Sequence, residues 1–199
     1  LFKMLVKEAE MNLVSNSFSD GALIPSKYAF GKIDLMNHAC LSDNINPHLS
    51  WSEFPNETKS FVILCCDPDA PSVADDVNKE RRSVPAGLER ADFTHWVLID
   101  IPANKVEIQE GEFSSSVTAG GKEGPETLSS MRHGMNNYTQ WFGSHPHLQG
   151  KYFGYDGPCP PWNDELVHRY VFTVHALDVE KLDLKGEFGM SEAVSAMDK

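Results

Sequence analysis

The longest unbroken apolar run in this chain is six residues, Phe61-Val62-Ile63-Leu64-Cys65-Cys66. A buried helix needs about ten or more residues of apolar pattern, whereas a short run rich in β-branched side chains suits a strand covered on both faces. Fourteen glycines and twelve prolines punctuate the 199 residues and keep the other apolar segments as short. The chain therefore reads as mainly β. Strands are predicted over 60–66, 95–101 and 168–177, with a weaker one over 12–14. In 168–177, His168, Tyr170, Phe172, Val174 and Ala176 share one face, and Arg169, Val171, Thr173, His175 and Leu177 the other. Helix signals are few. Met190, Ala193, Val194 and Met197 repeat at helical spacing and predict an amphipathic C-terminal helix. One helical turn is expected over 127–131. Strands with few helices imply an antiparallel β-sandwich with Greek-key connections and a few peripheral helices. No repeat or composition break divides the chain, so 1–199 reads as a single domain.

Charge narrows the function. Seventeen Lys and Arg face twenty-nine Asp and Glu, a formal net charge of −12. Broad nucleic-acid binding needs basic surface and is excluded. A small anion pocket is not, because nearby donors outweigh a distant, screened field. No apolar stretch approaches the roughly 20 residues of a membrane helix. Lys3, Lys7, Glu8 and Glu10 interrupt the first ten residues, which lack the apolar core of a signal peptide. A cytoplasmic protein is expected. The chain opens on Leu1 and not on Met, so a leader removed earlier stays an open alternative. Cysteines 40, 65, 66 and 159 form no CxxC pair and read as reduced thiols.

Three segments carry candidate chemistry. Asp67-Pro68-Asp69-Ala70-Pro71 follows the first long strand and reads as a stiff acidic turn with a candidate cis X-Pro bond. His95-Trp96 opens the next strand. Residues 152–170 (YFGYDGPCPPWNDELVHRY) form a Gly-Pro loop feeding the strand that presents His168 and Tyr170. Imidazole, phenol and free backbone N–H groups make an anion cradle. Two longer stretches interrupt the strand rhythm, 72–94 and 139–152. The second holds His145 and His147, two imidazoles without the further ligands a metal needs. No metal and no cofactor are expected.

In this order, DPDAP, THW at 94–96, GYDGPCPP at 154–161 and HRYVFTVHALD at 168–178 resemble the phosphatidylethanolamine-binding protein family, also called Raf-kinase-inhibitor-like proteins, in its bacterial and archaeal branch. Asn46-Pro47-His48-Leu49-Ser50-Trp51 and Gly134-Met135-Asn136-Asn137-Tyr138 are similar to two further family stretches. The resemblance implies a large antiparallel sheet packed on a smaller one, and a pocket for phosphate-type anions. It maps that pocket onto Asp67, Pro71, His95, Gly157, Pro158, Pro160, Pro161, His168 and Tyr170. His95 and His168 would donate to anion oxygens. Asp67 would orient an imidazole or take an ammonium group, the Gly-Pro loop would give N–H groups, and Tyr170 would line the wall. The implied role is a binding protein, not an enzyme, that modulates a kinase or a protease and is in some relatives a homodimer. Against the family pattern, 72–94 and 139–152 are insertions, and relatives continue into a further strand beyond Lys199. Two other readings compete. One is a small hydrolase or transferase with Asp67, His95 and His168 as acid–base groups and Cys159 as nucleophile. The other is an interaction protein acting through its insertions.

Overall fold

The computed structural model describes residues 11–127 and 129–198. Its elements run β1 (Asn12–Val14), a 3-10 turn (Ser26–Tyr28), β2 (Gly31–Asp34), β3 (His38–Leu41), β4 (Leu49–Ser52), β5 (Ser60–Pro71), β6 (Arg90–Pro102), β7 (Glu107–Ile108), β8 (Arg132–His133), α1 (Tyr138–Trp141), β9 (Val171–Leu177) and α2 (Met190–Met197). Every named strand pair is antiparallel. The four-stranded sheet has the order β8-β6-β5-β9, so the last strand returns to lie beside the first. That is the expected Greek-key order. A three-stranded sheet, β1-β4-β7, and the hairpin β2-β3 complete the β structure.

The period-2 pattern of β5 and β6 builds the layers. Phe61, Ile63 and Cys65 join Trp96, Leu98 and Ile101 on one face, where Leu49, Trp51 and Ile108 of the smaller sheet close over them. Val62, Leu64, Val97 and Ile99 point the other way, against Leu182, Phe188 and Ala193. The last of these belongs to α2, the helix that its spacing predicted. Glu192 reaches back to the Gly189 N–H at 2.9 Å and caps this helix.

Several local expectations are corrected. β5 runs on through DPDAP to Pro71, so that motif is strand, not turn. Its pairing with β9 stops at Cys66, after which only β6 lies beside it. There β5 is an edge, and an edge tolerates proline. The cis bond lies at Gly124–Pro125, not in DPDAP. β9 starts at Val171, leaving His168 and Tyr170 just before it. β6 starts at Arg90, so the first interruption is the loop 72–89. Over 127–131 there is no helical turn among the described residues: Glu126 bridges Arg132, and Thr127 closes the turn by donating twice to the Met131 carbonyl. Leu128 lies outside the described residues, as do 1–10.

Candidate ligand-binding site

The face of β5 that carries Phe61, Ile63 and Cys65 continues to Asp67. The face of β9 that carries Phe172, Val174 and Ala176 continues back to Tyr170 and His168. Where this inter-sheet layer ends, a cavity of about 120 Å³ opens. Asp67, Pro71, His95, Pro160, Pro161, His168 and Tyr170 all line it. A wider groove of about 450 Å³ runs between 126–132 and 181–185. Its Arg132 is already committed to Asp100 and to the carbonyls of Leu182 and Leu184, and none of the candidate site residues that the sequence singled out lines it.

His95 owes its place to a register slip. Cys65 pairs with Trp96 and Cys66 with Thr94, which leaves His95 as the extra residue of a β-bulge. A bulge re-aims the side chain it carries. The buried imidazole packs against Phe93, Tyr138 and Tyr170, with its ring centre 5.1 Å from that of Tyr170. Its Nδ1–H donates to the Asp156 carbonyl at 2.7 Å, which fixes the tautomer. Burial pushes its pKa down to about 4, so it is neutral near pH 7.

His168 is held differently. Nδ1 lies 2.6 Å from Asp67 Oδ2 and Nε2 lies 3.1 Å from Asp164 Oδ2. Arg90 grips Asp164 through both terminal guanidinium nitrogens, Nη1 and Nη2, at 2.6 and 3.1 Å. Burial disfavours the imidazolium, but the two carboxylates outweigh it and hold the His168 pKa above the ordinary range. With His168 charged, Arg90, Asp164, His168 and Asp67 alternate in sign and cancel. The expected pair of donating histidines is therefore corrected. At neutral pH His95 offers a lone pair, and both nitrogens of His168 are engaged.

The Gly-Pro loop is also corrected. Gly157 and Pro158 lie behind the cavity wall. The Gly157 N–H donates to Asn44 Oδ1 at 2.8 Å, and the Pro158 carbonyl accepts from Phe30 and Gly31. The prolines themselves have no N–H. Close packing explains the glycine: a Cβ on Gly157 would come within 2.0 Å of the Tyr28 carbonyl oxygen and 2.8 Å of the Tyr155 hydroxyl. Gly157→Ala should cost at least about 2 kcal/mol in urea unfolding. An unchanged midpoint would show that the backbone can give way.

Four polar residues carry the site without having been singled out in the sequence: Arg90, Asp164, Asp156 and Asn163. The i, i+4 spacing of Asp164 and His168 was the one available signal. Asn163 fastens the loop 72–89, its amide donating to the carbonyls of Asp76, Lys79 and Arg82. Val77 and Asn78 of that loop line the cavity, as does Trp141 from the second insertion. Both of the longer stretches thus contribute to the wall of the site. Cys159 lines it too; the residue is exposed overall, but its sulfur packs against Gly31, and that local desolvation pushes the thiol up to about 11. It is not a thiolate near neutral pH.

A two-layer antiparallel fold with one small polar cavity at the end of its core defines a β-sandwich of the binding-pocket type. A model of the phosphatidylethanolamine-binding protein family matches residues 14–199. The UPF0098 protein YbhB of Escherichia coli K12 is 33% identical over 174 residues, which span 87% of this chain and 82% of that protein. The UPF0098 protein of Aquifex aeolicus is 34% identical over 176 residues, 88% of this chain and 73% of its own. The crystal structure of E. coli YbcL, described as a member of the mammalian PEBP family, matches with a TM-score of 0.65 at 25% identity, covering 96% of this chain and 90% of that one. The chain belongs to the phosphatidylethanolamine-binding protein family. No helix among the described residues is long and apolar enough to cross a membrane.

Proposed function

We propose that this chain is a non-enzymatic binding protein that takes a phosphate-type anion into the cavity at the end of its core. Asp67, Pro71, His95, Pro160, Pro161, His168 and Tyr170 are the proposed contact set, braced from behind by Gly157 and Pro158. The observation that carries the reading is the Tyr170 hydroxyl. It is buried, lines the cavity and has no hydrogen-bond partner among the described residues. A buried hydroxyl left unpaired costs about 1–3 kcal/mol, and a ligand oxygen would remove that cost. The hydrolase reading is weaker because the cavity holds a protonated thiol and pairs no nucleophile with a base. The interaction reading merges with this one, since residues of both longer stretches line the cavity. A kinase or protease partner enters the proposal through a phosphorylated side chain presented to the site.

Calorimetric titration with O-phosphorylethanolamine at pH 6.5 tests this. One saturable site per chain is expected, with affinity about tenfold weaker in Tyr170→Phe. No saturable heat, or a Tyr170→Phe variant that binds as tightly, would refute it.

A further inference from the structure

The buried side chains around His95 are unbalanced toward acceptors. His95 spends its Nδ1–H on the Asp156 carbonyl, and its Nε2 makes no hydrogen bond among the described residues. Asp67 lines the same space. Its Oδ1 accepts from the Asp69 N–H at 2.8 Å and its Oδ2 faces His168, and each oxygen keeps a second lone pair. The buried free donor is the Tyr170 hydroxyl, while the exposed Asn78 and Trp141 add N–H groups at the rim. The ionisable groups around His95 are Asp67, His168, Tyr138, Tyr170 and Cys159. The Tyr138 hydroxyl is already given to the Gly157 carbonyl at 2.7 Å. The charges of the Arg90–Asp164–His168–Asp67 row cancel, so no uncompensated cation waits for an anion.

We propose that this pocket selects an oxyanion that brings its own hydroxyl, a hydrogen-phosphate-type group whose P–OH donates to His95 Nε2 while Tyr170 donates to a P–O oxygen, and that it rejects proton-free anions of the same shape. The inference rests on the anion-pocket reading above. Sulfate and phosphate share size and tetrahedral shape, so a cavity of about 120 Å³ does not sort them by volume. Hydrogen-bond polarity does. A proton-free oxygen placed on the His95 lone pair sets acceptor against acceptor, with the Asp67 carboxylate close by. Buried sites that hydrogen-bond a ligand hydroxyl discriminate strongly against analogues that lack it.

The test is calorimetry of the whole chain with inorganic phosphate and with sodium sulfate at pH 7. Phosphate is expected to bind at one site, and sulfate roughly a hundredfold more weakly. In His95→Gln the amide can turn an N–H toward the cavity, and the ratio should narrow at least about tenfold, chiefly through tighter sulfate binding. Methyl phosphate gives a readout that needs no variant. Phosphomonoesters lose their second proton near about pH 6, so at pH 8 this probe should bind with uptake of close to one proton, measured in two buffers of different ionisation heat. Sulfate within about threefold of phosphate, or methyl phosphate bound without proton uptake, overturns the inference and leaves an anion pocket in place. Binding of neither phosphate nor sulfate between pH 5 and 8 removes both readings.

Discussion

Taken from pH 7 to pH 4, this protein should lose about 6 kcal/mol of folding stability, most of it through two buried histidines. His95 and His133 both have pKa values pushed down to about 4 by burial. The unfolded chain takes up these protons near pH 6.5, whereas the native state refuses them. The unfolded state then binds more protons throughout the window from about 6.5 to 4, and stability falls with pH there. Each pH unit costs about 1.4 kcal/mol per histidine, or about 3 kcal/mol each by pH 4. Domains of this kind hold about 5–15 kcal/mol in all. The other shifted groups do not cancel this. His168, raised, contributes stability that is fully present below the unfolded value and flat across the window. Asp69, drawn down to about 2 by Arg169, acts only below the window. Asp156, raised by burial, opposes the loss only near its acid end. The half-buried His175, lowered, adds to it. Urea midpoints at pH 7, 5.5 and 4.5 would measure the slope. His133→Gln should halve it, because His133 sits edge-on to Phe113, has no partner for its Nδ1 among the described residues and lies outside the cavity lining. Equal midpoints at pH 7 and 4.5 would contradict the account.

The second large effect is expected at Asp156, which is fully buried. Its Oδ1 accepts from Lys122 at 2.7 Å and from the Asn44 amide at 2.8 Å, and its Oδ2 accepts from Asn136 at 2.8 Å. Asp156→Ala leaves a half-buried ammonium and two amides each short of one acceptor. Breaking a buried pair from one side costs about 3–5 kcal/mol. The loss should reach the cavity as well. Asn44 also holds the Gly157 N–H, Asn136 holds the Gly154 carbonyl at 3.0 Å, and the Asp156 carbonyl orients His95. Removing the stranded charge in Lys122→Met/Asp156→Asn should recover at least half of the deficit, read as urea unfolding at pH 7. A cost below about 1 kcal/mol for Asp156→Ala would mean that water replaces the carboxylate.

The strand faces were legible because side chains alternate wherever a strand is half buried, and 168–177 is such a case. Family motifs brought seven of the nine proposed contact residues to one cavity. What was not legible depended on register and on distant partners. The bulge that aims His95 arises from how β5 and β6 pair. Proline normally ends a strand, so DPDAP read as a turn until the loss of β9 at Cys66 made that stretch an edge. The protonation of His168 is set by Asp67 and Asp164, and the Arg90 that grips Asp164 sits at the far end of the loop 72–89. Free N–H groups were assigned to the Gly-Pro loop, yet Asn44 takes the one at Gly157, and that pairing spans 113 positions.

Asn163 and Glu165 make most of the contacts that fasten the loop 72–89. The Asn163 amide reaches three carbonyls, the Val84 N–H donates back to the Asn163 carbonyl, and Glu165 takes Ser83 and the Ala86 N–H. That attachment uses none of the ladder bonds of the main sheet. The sheet and the wall are therefore separate pieces of construction. Lengthening, trimming or replacing 72–89 reshapes the cavity without touching the strands, provided that the clasp survives.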